Sequence, residues 1–123
     1  MTPTSALEIV LDYHHAWTHG DVDRAMGWVA DDICCRAPGE DLVGKAAYRE
    51  FLGGFAPSLT GLTNIASFAD GDRVVLVYYP HTATTTTAPA AECFTVRGER
   101  IVESVLVFDR LSFAPAQRTV IEG

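Results

Sequence analysis

The stretch LDYHHAWTHGD, Leu11 to Asp21, holds three of the four histidines of the chain together with Tyr13 and Trp17. His15 and His19 are spaced i, i+4 and so can meet on one helical face. Zinc helices use that spacing, but they pair it with a glutamate base and a third ligand. Ala16 stands where that glutamate would be, and no other His or Cys pair has ligand spacing, so no metal site is expected. His15 and His19 read as a solvated face, with His19 near a helix C-terminus, where a cation is favoured. His14 points elsewhere on the helix, and the outer face is the expected address of all three. Tyr13 and Trp17 are one turn apart and share the other face. If that face lines a pocket, Tyr13 is a phenol donor and Trp17 a wall. The plainer reading makes both core aromatics.

Three further positions carry possible chemistry. Glu92 alternates with Phe94 and Val96, which turns it inward among apolar neighbours. A carboxyl so placed has a raised pKa, stays protonated and can donate a hydrogen bond. The competing reading is a strand-end glutamate paired with Arg97 or Arg100. His81 shares an alternating face with Val75, Val77 and Tyr79 and would follow Tyr79 into a pocket, where a neutral imidazole is a candidate base. Its place after Pro80 also fits an exposed strand end, and that reading weighs more. Cys34, Cys35 and Cys93 are odd in number and two are adjacent, which makes a poor disulfide framework and points to a reducing compartment. Cys35 shares the inner face with Ala37 and reads as a small apolar residue.

The elements that must position these groups follow from periodicity and turns. Ser5 with Glu8 three residues on is a capping-box pattern for a helix from about Ser5 to Thr18, closed by Gly20. Asp21 caps a second helix with Val22, Ala25, Met26 and Val29 at helical spacing. ICCRAP is a short strand, Pro38-Gly39 a turn, and GKAAYREFLGGF a third helix stopped by Gly53-Gly54. The pattern then changes to strands: LTNIASFAD, RVVLVYYPH, AAECFTVRG and the longest, ERIVESVLVFDRLSF, with a loose tail after about residue 114. Segregated helices and strands make an α+β fold, three N-terminal helices on a curved, mostly antiparallel sheet, a cone with an internal pocket. The 123 residues suffice for one domain. The formal charge of −7 and nine Lys and Arg argue against a nucleic-acid partner. No segment reads as a signal peptide or membrane span, so a cytoplasmic protein is expected. Ser104, Leu106 and Phe108 alternate against Val105 and Val107, leaving a second apolar face that fits a homodimer through the sheet.

HGDVDRAMGWVADDI, LVGKAAYREFL and RGERIVESVLVFD, in this order, resemble the turn and second helix, the third helix and the closing strand of the nuclear-transport-factor-like superfamily. That superfamily includes ketosteroid isomerase, limonene epoxide hydrolase and SnoaL-like polyketide cyclases. The resemblance implies a cofactor-independent enzyme acting on a small apolar carbonyl or epoxide compound. Tyr13 falls where the isomerase's oxyanion-binding tyrosine sits and Glu92 where its oxyanion-binding acid sits. The isomerase's base would be at Ala37 and the hydrolase's acid near Leu106, both apolar here, so a ligand-binding protein without catalysis is the alternative. The expected pocket is lined by Trp17, Trp28 and Cys35 on one side, by Tyr79, Glu92 and Phe94 on the next strands, and by Ser104, Leu106 and Phe108 on the closing strand.

Overall fold

Ser5 opens the described part of the chain, and the computed structural model describes residues 5–117. Its hydroxyl accepts from the Glu8 amide at 3.1 Å while the Glu8 carboxylate accepts from the Ser5 amide at 3.0 Å. Two of the orphan donors of helix α1, Ala6–Thr18, are satisfied in this way. Asp21 then accepts from the Arg24 amide at 3.0 Å and starts α2, Val22–Met26. That helix is one turn shorter than the spacing predicts. Gly27 ends it, and Val29, expected on its apolar face, instead begins β1, Val29–Ala37.

A short strand β2, Glu40–Val43, pairs back on β1. Gly44 follows at φ +93°, a conformation that favours glycine, and its carbonyl takes the first bond of α3 from the Tyr48 amide. Helix α3, Lys45–Phe55, runs through Gly53 and Gly54 rather than stopping at them, and so places Phe55 on the helix. The remaining strands are β3, Gly61–Asp70; β4, Arg73–His81; β5, Ala90–Arg97; and β6, Arg100–Phe108. They form one sheet in the order β2-β1-β6-β5-β4-β3, antiparallel except where β1 runs parallel to β6. The fold is α+β, helices on a mostly antiparallel sheet, as the sequence predicts.

Further expectations fail. The long closing strand breaks at Asp109, whose carboxylate accepts from the Leu111 amide at 3.3 Å and from the Ser112 hydroxyl at 2.6 Å. A fourth helix, α4, Arg110–Gln117, begins there, so the chain is helical where a loose tail is expected after about residue 114. Residues 118–123 lie outside the described residues. On β4, Val74, Leu76, Tyr78 and Pro80 are buried, while Val75, Val77, Tyr79 and His81 are only half-buried. Tyr79 and His81 therefore face away from the core. Both faces of β4 are apolar, so alternation alone does not say which is inward, and a one-residue choice inverts every side chain.

Candidate functional site

Helices α1, α3 and α4 and the inner face of β4, β5 and β6 line an apolar cavity that opens to solvent. Trp17 of α1 and Tyr48, Phe51, Leu52 and Phe55 of α3 form one side. Tyr78 and Pro80 of β4, Ala90 and Glu92 of β5, and Leu106 and Phe108 of β6 form the other. Phe113 of α4, 1% exposed, completes the wall, edge-on to Phe55 at 5.9 Å and to Phe108 at 5.6 Å.

Glu92 is the one carboxyl in this lining, and it is 3% exposed. Its Oε2 accepts from the Tyr48 hydroxyl at 3.0 Å and from the Ser104 hydroxyl at 2.6 Å. Ser104 is available because β5 and β6 pair Phe94 with Ser104 and Glu92 with Leu106, on one face of the sheet. Burial pushes the Glu92 carboxyl up to about 7, against the pull of the Ser104 and Tyr48 hydrogen bonds. The hydroxyls of Tyr13 and Tyr48 are hydrogen-bonded to each other. Tyr48 has one proton and gives it to Glu92, so Tyr13 is the donor to Tyr48. Burial, and next the Glu92 charge, hold both phenols well above their usual range, so both keep their protons. The result is a directed chain, Tyr13 to Tyr48 to Glu92, with Ser104 donating to the same oxygen. Glu92 Oε1 takes no hydrogen bond from the described residues. Because Oε2 already accepts two, the proton of neutral Glu92 sits on Oε1.

The positions singled out in the sequence separate into those at the cavity and those away from it. Trp17, Glu92, Leu106 and Phe108 line it. Ser104 touches Glu92 from behind, and Tyr13, fully buried, reaches it only through Tyr48. Phe94 is packed edge-on against Tyr13 at 5.6 Å. Cys35 is fully buried beside Ser104 on the parallel β1–β6 ladder. Its thiol is pushed up to about 12, by burial first and the Glu92 charge second, which suits packing and not nucleophilic attack. Trp28 lies away from the cavity, where its indole donates to Asp12, which also pairs with Arg24 at 2.9 Å. Tyr79 is on the outer face, as is His81, whose Nε2 meets the Thr63 hydroxyl at 2.9 Å.

The histidine run divides in an unexpected way. His15 and His19 are exposed, with ring centroids 4.0 Å apart, as their spacing predicts. His14 is buried, 4% exposed, with its ring 4.6 Å from Tyr78 and 5.7 Å from Trp17. The outer-face expectation is wrong for this residue, because position 14 follows Tyr13 onto the edge of the buried stripe with Val10 and Trp17. Burial lowers the imidazole to about 4, opposed by the Asn64 amide, so it is neutral at pH 7. Among the described residues no three His, Cys, Asp or Glu side chains gather as metal ligands. Sequence reasoning missed Tyr48, Tyr78 and Phe113 as members of the site. Tyr48 falls inside the third helix read from the sequence, where nothing local marks it as a site residue, and Tyr78 was hidden by the ambiguous faces of β4.

The comparisons with known proteins agree with this architecture. No match is found among curated proteins. A solved structure from Kribbella flavida is 39% identical, covering 94% of this chain and 95% of its own, with a TM-score of 0.87. Two more distant structures share the fold. One is an NTF2-like protein from Cytophaga hutchinsonii, 16% identical over 92% of this chain and 97% of its own, with a TM-score of 0.77. The other is a putative polyketide cyclase from Sinorhizobium meliloti, 17% identical over 85% of this chain and 100% of its own, with a TM-score of 0.72. The sequence profile of the SnoaL-like domain matches residues 10–104, most of the chain, and the protein belongs to that family.

Proposed function

We propose that the protein is a cofactor-independent enzyme of the SnoaL-like kind, acting on a small, mostly apolar carbonyl or epoxide compound held in the cavity. The observation that carries this reading is Glu92: a carboxyl in the lining of an apolar cavity, with Oε2 occupied by Tyr48 and Ser104 and no hydrogen bond to Oε1 from the described residues. In its neutral form Oε1–H donates to the ligand oxygen on which negative charge develops. With a pKa of about 7, both the acid and the carboxylate are populated near neutrality, the condition under which proton transfer is most effective. Tyr48 holds the carboxyl and Tyr13 holds Tyr48, so Tyr13 is a positioning residue in this reading and does not touch the ligand. His81 has no part in it, since its face is the outer one. The name of the Sinorhizobium meliloti neighbour is in keeping with such chemistry.

A second reading has its own observation. Ala37, where the resemblance puts a base, is apolar, and a ligand-binding protein on this scaffold needs no proton-moving group. Wild type and Glu92→Gln are compared in isomerisation of a β,γ-unsaturated ketone and in hydrolysis of a small epoxide. The enzyme reading expects turnover by wild type that falls by about a hundredfold or more in the variant. Wild type that binds these compounds and turns over none of them refutes it in favour of the binding protein.

The working form in this reading is a homodimer through the outer face of the sheet, in the cytoplasm, where its three free cysteines stay reduced. Register lines up Phe68, Val75, Cys93 and Val105 in one row across four strands, and Ala66, Val77, Ala91 and Val107 in the next. Phe68, Val105 and Val107 are exposed in the single chain. Contiguous apolar surface of this kind marks an interface. No helix among the described residues is long and apolar enough to cross a membrane.

A further inference from the structure

Of the polar side chains that line the cavity, few have an atom left for a ligand. The Tyr48 hydroxyl spends its proton on Glu92 and accepts from Tyr13. The indole nitrogen of Trp17 is buried away from any accessible space. Glu92 keeps Oε1. The remaining group is Tyr78, 3% exposed, whose ring lines the cavity.

The β4–β5 register fixes how these two groups stand. Tyr78 lies opposite Ala90, and Leu76 lies opposite Glu92, so Tyr78 and Glu92 are diagonal neighbours on the inner face. Such neighbours have side chains about 7 Å apart at their bases, within reach of long side chains converging on one atom between them. Ala90, opposite Tyr78 and two residues before Glu92 on β5, has a small side chain and itself lines the cavity. The His14 ring packs against the Tyr78 ring, with centroids 4.6 Å apart. Burial and the Glu92 charge keep the phenol protonated, so it can donate and does not ionise.

Resting on the reading of the cavity as a carbonyl site, we propose that Tyr78 is the second donor to the ligand oxygen, so that the oxygen-binding pair of this protein is Glu92 with Tyr78. Tyr13, the tyrosine that the resemblance puts in that role, is screened from the cavity by Tyr48. As negative charge grows on the ligand oxygen, it accepts from Glu92 Oε1–H and from Tyr78 O–H at once. Tyr78 keeps its proton throughout. The ligand class that follows has one exposed oxygen flanked by apolar, preferably flat, groups that fill the aromatic walls.

Acetophenone carrying ¹³C at its carbonyl is the probe. Its stretching frequency, which falls as donors are added, is read by infrared difference spectroscopy, and its affinity by titration, for wild type, Tyr78→Phe and Tyr13→Phe. The expected result is a lowered stretch in wild type. In Tyr78→Phe the stretch should recover in part, with affinity about three- to tenfold weaker. Tyr13→Phe should change both far less. Tyr78→Phe with the wild-type stretch and affinity overturns the assignment and leaves the carbonyl-site reading standing. Wild type that fails to bind acetophenone overturns both. Should Tyr78→Phe not fold, 3-fluorotyrosine at position 78 gives the same test, since its stronger donor must lower the stretch further, and an unchanged stretch is again fatal.

Discussion

Glu92→Gln keeps the shape of the side chain and an oxygen for Tyr48 and Ser104, and removes the titratable proton. Its effect on stability can be worked from the site. The folded carboxyl titrates at about 7, against an ordinary value of 4.5, because it is buried. Between those two values the folded chain binds more protons than the unfolded one, so stability falls as pH rises through that window. At about 1.4 kcal/mol per pH unit, the gap amounts to about 3 kcal/mol, absent below pH 4.5 and complete above pH 7. Glutamine carries no such penalty. The assay is urea unfolding followed by far-ultraviolet circular dichroism, run on wild type and variant from pH 4.5 to 8. Every other titrating group is common to both proteins and cancels in the difference. The variant should gain about 3 kcal/mol on wild type across the window. Stability curves that run parallel from pH 4.5 to 8 would refute the claim that Glu92 is neutral at the acid end and carries its burial cost at the alkaline end.

Two further outcomes follow from the same structure. Burial holds the folded His14 imidazole at about 4 against an ordinary 6.5, so stability is lost as pH falls through that range, by up to about 3 kcal/mol; His14→Phe should move the midpoint of acid unfolding, followed by tryptophan fluorescence, to lower pH. Val107 is 60% exposed in the single chain and lies on the outer apolar face; Val107→Asp should leave urea stability within about 0.5 kcal/mol at low protein concentration while converting a dimeric mass into a monomeric one in sedimentation at micromolar concentration, and a monomeric wild type would dispose of the interface.

The legible parts of the fold were those where one physical signal acts alone. The Ser5–Glu8 capping box and the Asp21 cap announce α1 and α2 because their partners lie three residues away. Glu92 was placed on the inner face because it alternates with Phe94 and Val96 on β5, whereas β6 carries apolar residues on both faces, Ser104, Leu106 and Phe108 against Val105 and Val107. Tyr78 and Tyr79 could not be told apart, since Val74, Val75, Leu76 and Val77 make both faces of β4 apolar and the outer one carries its own apolar rows. The fourth helix was hidden because Leu111 and Phe113 continue a strand-like alternation, and the Asp109 cap that interrupts it is a short-range hydrogen-bond choice that periodicity does not see. Tyr48 entered the site through contacts 35 and 44 residues distant in sequence, with Tyr13 and Glu92, for which the chain offers no local sign.

The two hydrogen bonds that converge on Oε2 of Glu92 have a dynamic meaning. Tyr48 and Ser104 donate to that oxygen whether the carboxyl carries a proton or not, since the proton occupies the other oxygen. Gaining or losing it therefore demands no rotation of the carboxyl, no hydroxyl reversal in Tyr13 or Tyr48, and no rearrangement of the strands that carry them. The reorganisation that water would have to perform around an ionising acid has been completed in advance by folding. What remains for a proton to cross is the short gap between Oε1 and whatever occupies the cavity.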